Sequence, residues 1–132
     1  MIDLRQLRAN PEAARVSQRA READPAVVDA ILLADERHRA ALVAFETARA
    51  EQKALGKLLA GAKGEDKAEF VARAKSLAAD VKQAAAAAEA AAEALSDVAL
   101  TLPNLVEEGA PAGGEQNFKV LKEVGARRDF TA

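Results

Sequence analysis

Hydrophobic residues recur at alternating steps of three and four positions through two long stretches of this chain. Between residues 26 and 102 there is no proline, and the segment from Gly61 to Asp66 is the one credible break in the pattern. The pattern therefore predicts two helices, at about 25–61 and 65–102, each about 54 Å long at 1.5 Å per residue. Helices of this length cannot bury an apolar face against a small domain, so they must pair with each other.

The spacing matches the a and d positions of a heptad repeat, which is typical of a coiled coil with a left-handed supercoil. In the first helix these positions are Val27, Ile31, Ala34, His38, Ala41, Phe45, Ala48, Gln52, Leu55 and Leu59. In the second they are Phe70, Ala74, Leu77, Val81, Ala84, Ala88, Ala91, Leu95, Val98 and Leu102. An antiparallel hairpin about the 60–66 turn pairs residues whose numbers sum to 129, which sets Phe45 opposite Ala84. The predicted fold is all-α, with a small helical base, a long antiparallel two-helix coiled-coil hairpin and an irregular C-terminal linker.

The segments flanking the hairpin carry their own signals. Asn10, Pro11 and Glu12 together favour a helix start, which predicts a helix at about 10–21, and Asp24-Pro25 repeats the device. From Pro103 onward, glycine and proline recur, which is typical of a connector. Residues 118–124 have the composition of one short strand, but a lone strand is not stable by itself. The predicted organisation is an arm domain at 1–102 and a linker at 103–132 leading toward a further domain.

Composition leaves little room for catalytic chemistry. The chain has 35 alanines, 3% aromatic residues, one histidine and no cysteine, which argues against a compact α/β enzyme, a disulfide framework and a Cys or His metal cluster. His38 falls at a heptad position opposite Ala91, so it is interpreted as a partly buried residue of the helix seam. Ala62 and Lys63 follow Gly61 where a phosphate-binding loop needs Lys and then Ser or Thr. The sequence predicts no catalytic residue, no metal site and no cofactor in this chain. The absence of a long apolar run favours a cytoplasmic protein without a membrane partner.

Charge is unevenly placed along the hairpin, although the net charge of the whole chain is −2. The distal part, residues 49–82, carries eight basic and five acidic side chains, a net +3, whereas the proximal part, 26–48 with 83–102, carries two and seven, a net −5. A projecting rod with a basic end suits contact with the backbone of a polyanion. Phe70 is the one aromatic residue near the tip, at a core position, so contacts to phosphate and ribose are expected in place of base stacking. An ordinary solvated coiled coil with unevenly placed lysines remains the alternative reading of the charge.

The N-terminal run from Met1 to Glu12, MIDLRQLRANPE, resembles the start of bacterial seryl-tRNA synthetases. Those enzymes typically begin with methionine, a hydrophobic residue, D-L-x-x-L-R-x-N-P-E. The resemblance continues through Asp24-Pro25, the long hairpin and the Leu102-Pro103-Asn104 segment, which looks like the family's exit from its arm. Gly113–Glu115 and Gly125–Phe130 are similar to the family's approach to its catalytic domain. The resemblance covers essentially the whole chain and identifies it as the N-terminal tRNA-binding domain.

This resemblance implies a partner and a role. In the family, the arm grips the long variable arm of serine tRNA across a homodimer, and the parent class II enzyme ligates serine to that tRNA with ATP and Mg²⁺. The catalytic domain would follow Phe130, so this chain alone is expected to be a non-catalytic monomer, excised from the parent or standing alone. The residues that match the RNA-binding role are the basic residues of the distal arm: Arg49, Lys53, Lys57, Lys63, Lys67, Arg73 and Lys75. The alternative function is a stand-alone coiled-coil hairpin that acts as a protein-interaction or spacer module.

Overall fold

A computed structural model describes residues 3–126, apart from the side chain of Glu65. The described residues form four α-helices and one 3₁₀ turn. They are α1 (Leu4–Ala9), α2 (Pro11–Ala20), α3 (Ala26–Gly61) and α4 (Glu65–Leu100), with the 3₁₀ turn at Glu115–Asn117. Two parts of the segments that carry the family resemblance lie outside the described residues. They are Met1-Ile2 and the end of the Gly125–Phe130 run.

The first three helices each begin at a side chain that accepts a backbone hydrogen bond. The Asp3 carboxylate accepts from the Arg5 N–H at 2.8 Å, the Asn10 side chain from the Ala13 N–H at 3.2 Å, and the Asp24 carboxylate from the Ala26 N–H at 2.9 Å. Such oxygens satisfy N–H groups that have no partner within the helix. The helix starts predicted at Asn10 and Asp24 are therefore found at those residues. α1 was not predicted from the sequence, because six residues are too few to show a helical period.

The predicted hairpin is confirmed, because α3 and α4, 36 residues each, pack against each other in antiparallel directions. Nineteen of the twenty predicted heptad positions are buried or half-buried, His38 among them. Gln52 is the exception: it was predicted at the core and is exposed. A buried amide needs hydrogen-bond partners that an aliphatic seam lacks, so the side chain faces solvent. The turn passes through Gly64 at φ 64° and ψ −137°, a backbone conformation that only glycine adopts readily.

The hydrophobic core lies at the root of the hairpin, where all four helices meet. Its buried side chains come from α1, α2, both long helices and a residue two positions beyond α4: Leu7, Ala14, Val28, Ile31, Leu95 and Leu102. Val27 and Val98 pack against this cluster, which agrees with the predicted pairing across the seam. The small base is therefore held by the same apolar residues that join the two long helices.

A buried carboxylate fastens α1 to α3 beside this core. The Asp35 side chain is 5% exposed and accepts from Arg8 of α1 at 2.9 and 3.0 Å and from Arg39 of α3 at 2.9 Å. Burial raises the pKa of Asp35, but the hydrogen bonds and positive charges of Arg39 and Arg8 outweigh it and hold that pKa below its ordinary value of 3.8. The carboxylate therefore stays ionised in the folded protein to a lower pH than in the unfolded chain.

Asp35→Asn should lower the free energy of unfolding at pH 7 by about 1–2 kcal/mol. A lowered folded-state pKa contributes stability above the ordinary value of 3.8, and that contribution is lost as pH falls through the lowered value. Urea unfolding between pH 6 and pH 2 should therefore show a shallower acid loss for Asp35→Asn than for the wild type. In Asp35→Asn the loss of stability at acid pH should be reduced but not abolished, since Arg19 and Arg15 also lower the pKa of Glu12. Asp97→Asn, at an exposed position, is the control and should lose stability with falling pH as the wild type does. An equal change in the free energy of unfolding with pH for all three proteins would refute the role of Asp35.

The chain beyond α4 folds back onto α2. The Ser17 hydroxyl accepts from the Val106 N–H at 2.9 Å, Arg21 donates to the carbonyl of Asn104 at 3.0 Å, and the Gly113 N–H donates to the carbonyl of Ala20 at 2.8 Å. The suggested strand at residues 118–124 is wrong, because the described residues include no β-strand and this segment is irregular. Within residues 3–126 no second strand lies beside this segment to supply the ladder of hydrogen bonds. The division between arm domain and linker stays a prediction.

Candidate nucleic-acid interface

The basic residues singled out in the sequence are all exposed and all lie in the half of the hairpin farthest from the base. They comprise three residues of α3, one residue of the turn and three residues of α4: Arg49, Lys53, Lys57, Lys63, Lys67, Arg73 and Lys75. Long helices hold them at fixed spacing because each side chain projects from a rigid, continuous backbone. The tip of the arm therefore presents positive charge to solvent at defined positions.

The base and the arm use their basic residues differently. Across residues 3–126, the ion pairs join arginines of α1, α2 and the proximal half of α3 to nearby carboxylates: Arg8 and Arg39 with Asp35, Arg15 with Glu12 and Asp29, and Arg19 with Glu12. None of these pairs involves a basic residue of the distal arm. The arginines of the base thus serve the fold. Among the carboxylates that the structure describes, none pairs with a distal basic side chain, so those side chains can donate to an external partner.

Two hollows mark the two sides of the distal hairpin. One is lined on α3 by Glu46, Arg49, Ala50, Gln52 and Lys53. The other spans both helices and is lined by Glu51, Ala54, Leu55, Leu58, Arg73 and Leu77. Leu55 and Leu77 are seam residues, so the second hollow shows which side of α3 and which side of α4 lie together.

Helical geometry then separates the predicted site residues. Lys53 lies two residues from Glu51, and Lys75 lies two residues from Arg73, so each lysine points about 160° away from its neighbour on the second hollow. Arg49 shares the side of Lys53, one turn earlier. Lys67 is seven residues before the seam residue Ala74, so it projects near the line of the seam, about 80° from Lys75 and about 120° from Arg73 around α4. Arg73 therefore lies on one side of the hairpin and Arg49, Lys53 and Lys75 on the other, with Lys67 near the tip and closer to Lys75 than to Arg73.

Two residues that the sequence reasoning left out of the site belong beside this set. Lys82 lies seven residues after Lys75, within about 20° around α4, and is exposed. Gln52 lines the first hollow between Arg49 and Lys53, with an amide free to donate and accept hydrogen bonds. The seven-residue step to Lys82 was visible in the sequence, whereas Gln52 was hidden by its heptad position. We call Arg49, Lys53, Lys67, Lys75 and Lys82 the basic face.

The chemistry available on the basic face is charge-assisted hydrogen bonding to anions. Guanidinium and ammonium groups donate to phosphate oxygens, and an arginine can do so with two parallel bonds. In the described part of the chain, no group of three or more His, Asp or Glu side chains is arranged to hold a metal ion. The face therefore has the chemistry to bind a polyanion backbone.

The profile of the seryl-tRNA synthetase N-terminal domain matches residues 1–106 of this chain. The chain belongs to that family. The predicted resemblance is therefore confirmed, over a region that includes all four helices and the start of the connector.

Individual curated relatives match beyond residue 106, across nearly the whole chain. The chain is 52% identical to a serine–tRNA ligase of Thermobifida fusca over 130 residues, 98% of this chain and 31% of the relative. It is 51% identical over 132 residues to that of Kocuria rhizophila, and 49% identical over 132 residues to that of Streptomyces coelicolor. In both cases the match spans 100% of this chain, against 30% and 31% of the relative. The chain thus spans about a third of the length of the ligases it matches.

The long helices of this family member do not have the composition of membrane spans. Within residues 3–126, no helix is both long enough and apolar enough to cross a bilayer. The regular appearance of charged residues along α3 and α4 accounts for this.

Proposed function

We propose that this domain is the tRNA-binding arm of a serine–tRNA ligase and that it recognises the long variable arm of serine tRNA. The observation that carries the proposal is the basic face: exposed cations on one side of a projecting rod, outside the ion pairs described for the base. Family membership supplies the class of RNA, since the relatives that the chain matches are named as serine–tRNA ligases.

Recognition on this face proceeds through backbone and shape. Lysine and arginine side chains contact phosphates without reading the bases, and such contacts fix the position of an RNA helix on a protein. The one aromatic residue near the tip, Phe70, is half-buried at the seam and is not placed to stack on a base. A long variable arm offers a longer RNA helix than a short one does. A rigid protein rod that carries basic residues at fixed spacing can distinguish RNA helices of different length.

We further propose that in the parent enzyme the arm delivers its tRNA to a class II catalytic domain that ligates serine with ATP and Mg²⁺. That enzyme is a cytoplasmic homodimer, and the arm grips a tRNA whose acceptor end enters the active site of the partner subunit. The residues described here hold no carboxylate cluster that would fit Mg²⁺, so no step of that reaction is assigned to them. The role of this domain is to bind and orient the RNA.

The 132-residue chain should bind serine tRNA more tightly than a tRNA with a short variable arm, and added salt should weaken both. The logarithm of the association constant should fall linearly with the logarithm of salt concentration, by about 0.7–0.9 for each phosphate contacted. Filter binding or fluorescence anisotropy at several salt concentrations between about 0.05 and 0.2 M measures both quantities. A steeper slope for serine tRNA would show that the extra helix supplies the extra contacts.

Two results would contradict the proposal in different ways. Equal affinity for the two tRNAs would show that the arm is a general polyanion binder without a preference for the long variable arm. No binding to either RNA, together with self-association in sedimentation velocity, would instead support the alternative of a protein-interaction or spacer hairpin.

A further inference from the structure

The Arg49 side chain lies over an aromatic ring one helical turn before it. Its Cζ atom is 5.5 Å from the centroid of the Phe45 ring, inside the range of about 6 Å over which a cation is attracted to an aromatic face. Side chains in a helix lean toward the N-terminus, so a long side chain covers the surface of the preceding turn. The local geometry of α3 therefore brings this guanidinium onto this ring.

The opposite helix leaves the Phe45 ring available for the contact. Phe45 is a half-buried seam residue, and the heptad register sets it opposite Ala84, within the five consecutive alanines at 84–88. An alanine methyl covers only a small part of a phenyl ring, so the ring keeps an accessible face at the edge of the seam. A large side chain at this point of α4 would occupy the place that Arg49 takes.

Arg49 also has a carboxylate within reach that it does not use. Glu46 precedes it by three residues and lines the same hollow, but the ion pairs found in residues 3–126 do not include this pair. An ion pair would occupy N–H donors of the guanidinium. A ring beneath the cation restrains the side chain through its face and leaves the five N–H donors at its edge for a phosphate.

We infer that Phe45 is a positioning residue for RNA binding, because its ring holds Arg49 on the basic face with its donors directed to a backbone phosphate. The inference rests on the proposed function and deepens it. An arginine that is already restrained loses less rotamer freedom when it binds, so the same phosphate contact contributes more affinity. Phe45 itself does not contact the RNA and acts through Arg49.

A double-mutant cycle on the 132-residue chain tests the inference, with serine tRNA as the probe. Arg49→Ala should weaken binding about tenfold by removing a charge-assisted hydrogen bond. Phe45→Leu keeps an apolar seam residue and removes the ring, and should weaken binding about two- to fivefold. In the Arg49→Ala background, Phe45→Leu should have no further effect, because the residue it positions is gone. Phe45→Tyr keeps the ring and should restore wild-type affinity.

Phe70→Leu is the matched control. Phe70, like Phe45, is an aromatic residue at a half-buried heptad position of the hairpin, and the cation–ring contact found in the described residues lies at Phe45. Phe70→Leu should therefore leave RNA affinity unchanged. A readout without RNA is the NMR resonance of the Arg49 Nε–H, which the ring should displace in the wild type and in Phe45→Tyr but not in Phe45→Leu.

The outcomes separate this inference from the proposed function. Equal losses from Phe45→Leu with and without Arg49 would overturn it, since the ring would then act through the coiled coil. Normal RNA binding by Arg49→Ala would also overturn the inference about Phe45. If removal of the lysines of the basic face still abolished binding, the proposed function would nevertheless be supported. An Arg49 resonance that is identical in wild type and Phe45→Leu would overturn the inference even if the RNA results agreed. Failure of every basic-face variant to alter binding would refute the proposed function and the inference together.

Discussion

Replacing Ile31 by alanine should lower the free energy of unfolding by about 3 kcal/mol, and the melting temperature should fall by about 10 °C. Ile31 is 1% exposed and belongs to the cluster that joins α1, α2, α3 and α4 at the root of the hairpin. Removal of its side chain beyond Cβ takes away apolar contacts with several elements at once. It also leaves a cavity that rigid helices close only in part. Urea and thermal unfolding followed by circular dichroism at 222 nm measure the loss.

Leu33→Ala is the matched control for this effect. Leu33 lies two residues away on the same helix, removes the same number of carbon atoms when truncated, and is 47% exposed. Its truncation should change the free energy of unfolding by no more than about 1 kcal/mol, because alanine favours the helix and little buried area is lost. Equal destabilisation by the two substitutions would show that the root core is not where the stability of the fold is concentrated.

The second large effect concerns RNA. Combined replacement of Lys53, Lys67, Lys75 and Lys82 by alanine should weaken binding to serine tRNA about a hundredfold near 0.1 M salt, since each exposed ionic contact contributes about 0.7 kcal/mol. The slope of the logarithm of affinity against the logarithm of salt should flatten by about 3. All four side chains are exposed, and alanine is compatible with the helix at each position. Helicity and melting temperature should therefore stay close to those of the wild type.

The control removes the same number of charges elsewhere on the molecule. Arg5, Arg37, Arg73 and Lys119 are exposed, and they lie in the base, the proximal arm, the opposite side of the hairpin and the connector. Their combined replacement by alanine makes the same change in net charge, so a binding loss due to net charge would be the same for both variants. We expect less than a threefold loss for this control, about the sum of small long-range effects. A loss equal to that of the basic-face variant would refute a one-sided interface.

Arg73 shows how far the site could be predicted from residue types and spacing. It was grouped with Arg49 and Lys53 because all three are basic and close to the tip. Charge counts along a hairpin do not distinguish its two sides, because the side on which a residue lies depends on how the second helix is rotated against the first. The hollow shared by Glu51 and Arg73 supplies that rotation. Once that rotation places Lys75 on the face, the seven-residue step visible in the sequence adds Lys82, although Lys82 lies farther from the tip.

Gln52 illustrates the opposite error. A strict heptad repeat places it in the seam, and the structure places it at the surface beside Arg49 and Lys53. The heptad repeat predicts the direction in which a side chain projects. It takes no account of the free energy needed to bury a polar group in the seam. The desolvation of an amide without partners exceeds what its methylene groups contribute to the seam.

The local sequence by itself determined the two long helices, their break near Gly64 and the helix starts at Asn10 and Asp24. These features depend on interactions within a few residues: backbone hydrogen bonds, side-chain caps and a repeat that keeps apolar residues on one stripe. Family membership was also legible in the sequence, because it rests on the order of residues and needs no contact. Only the tertiary structure decided the rest. It brings Arg8 to Asp35 across 27 positions and Ser17 to Val106 across 89, and it sets Arg73 apart from the basic face. Contacts between residues so distant in the chain depend on how whole helices dock, and no local pattern records that.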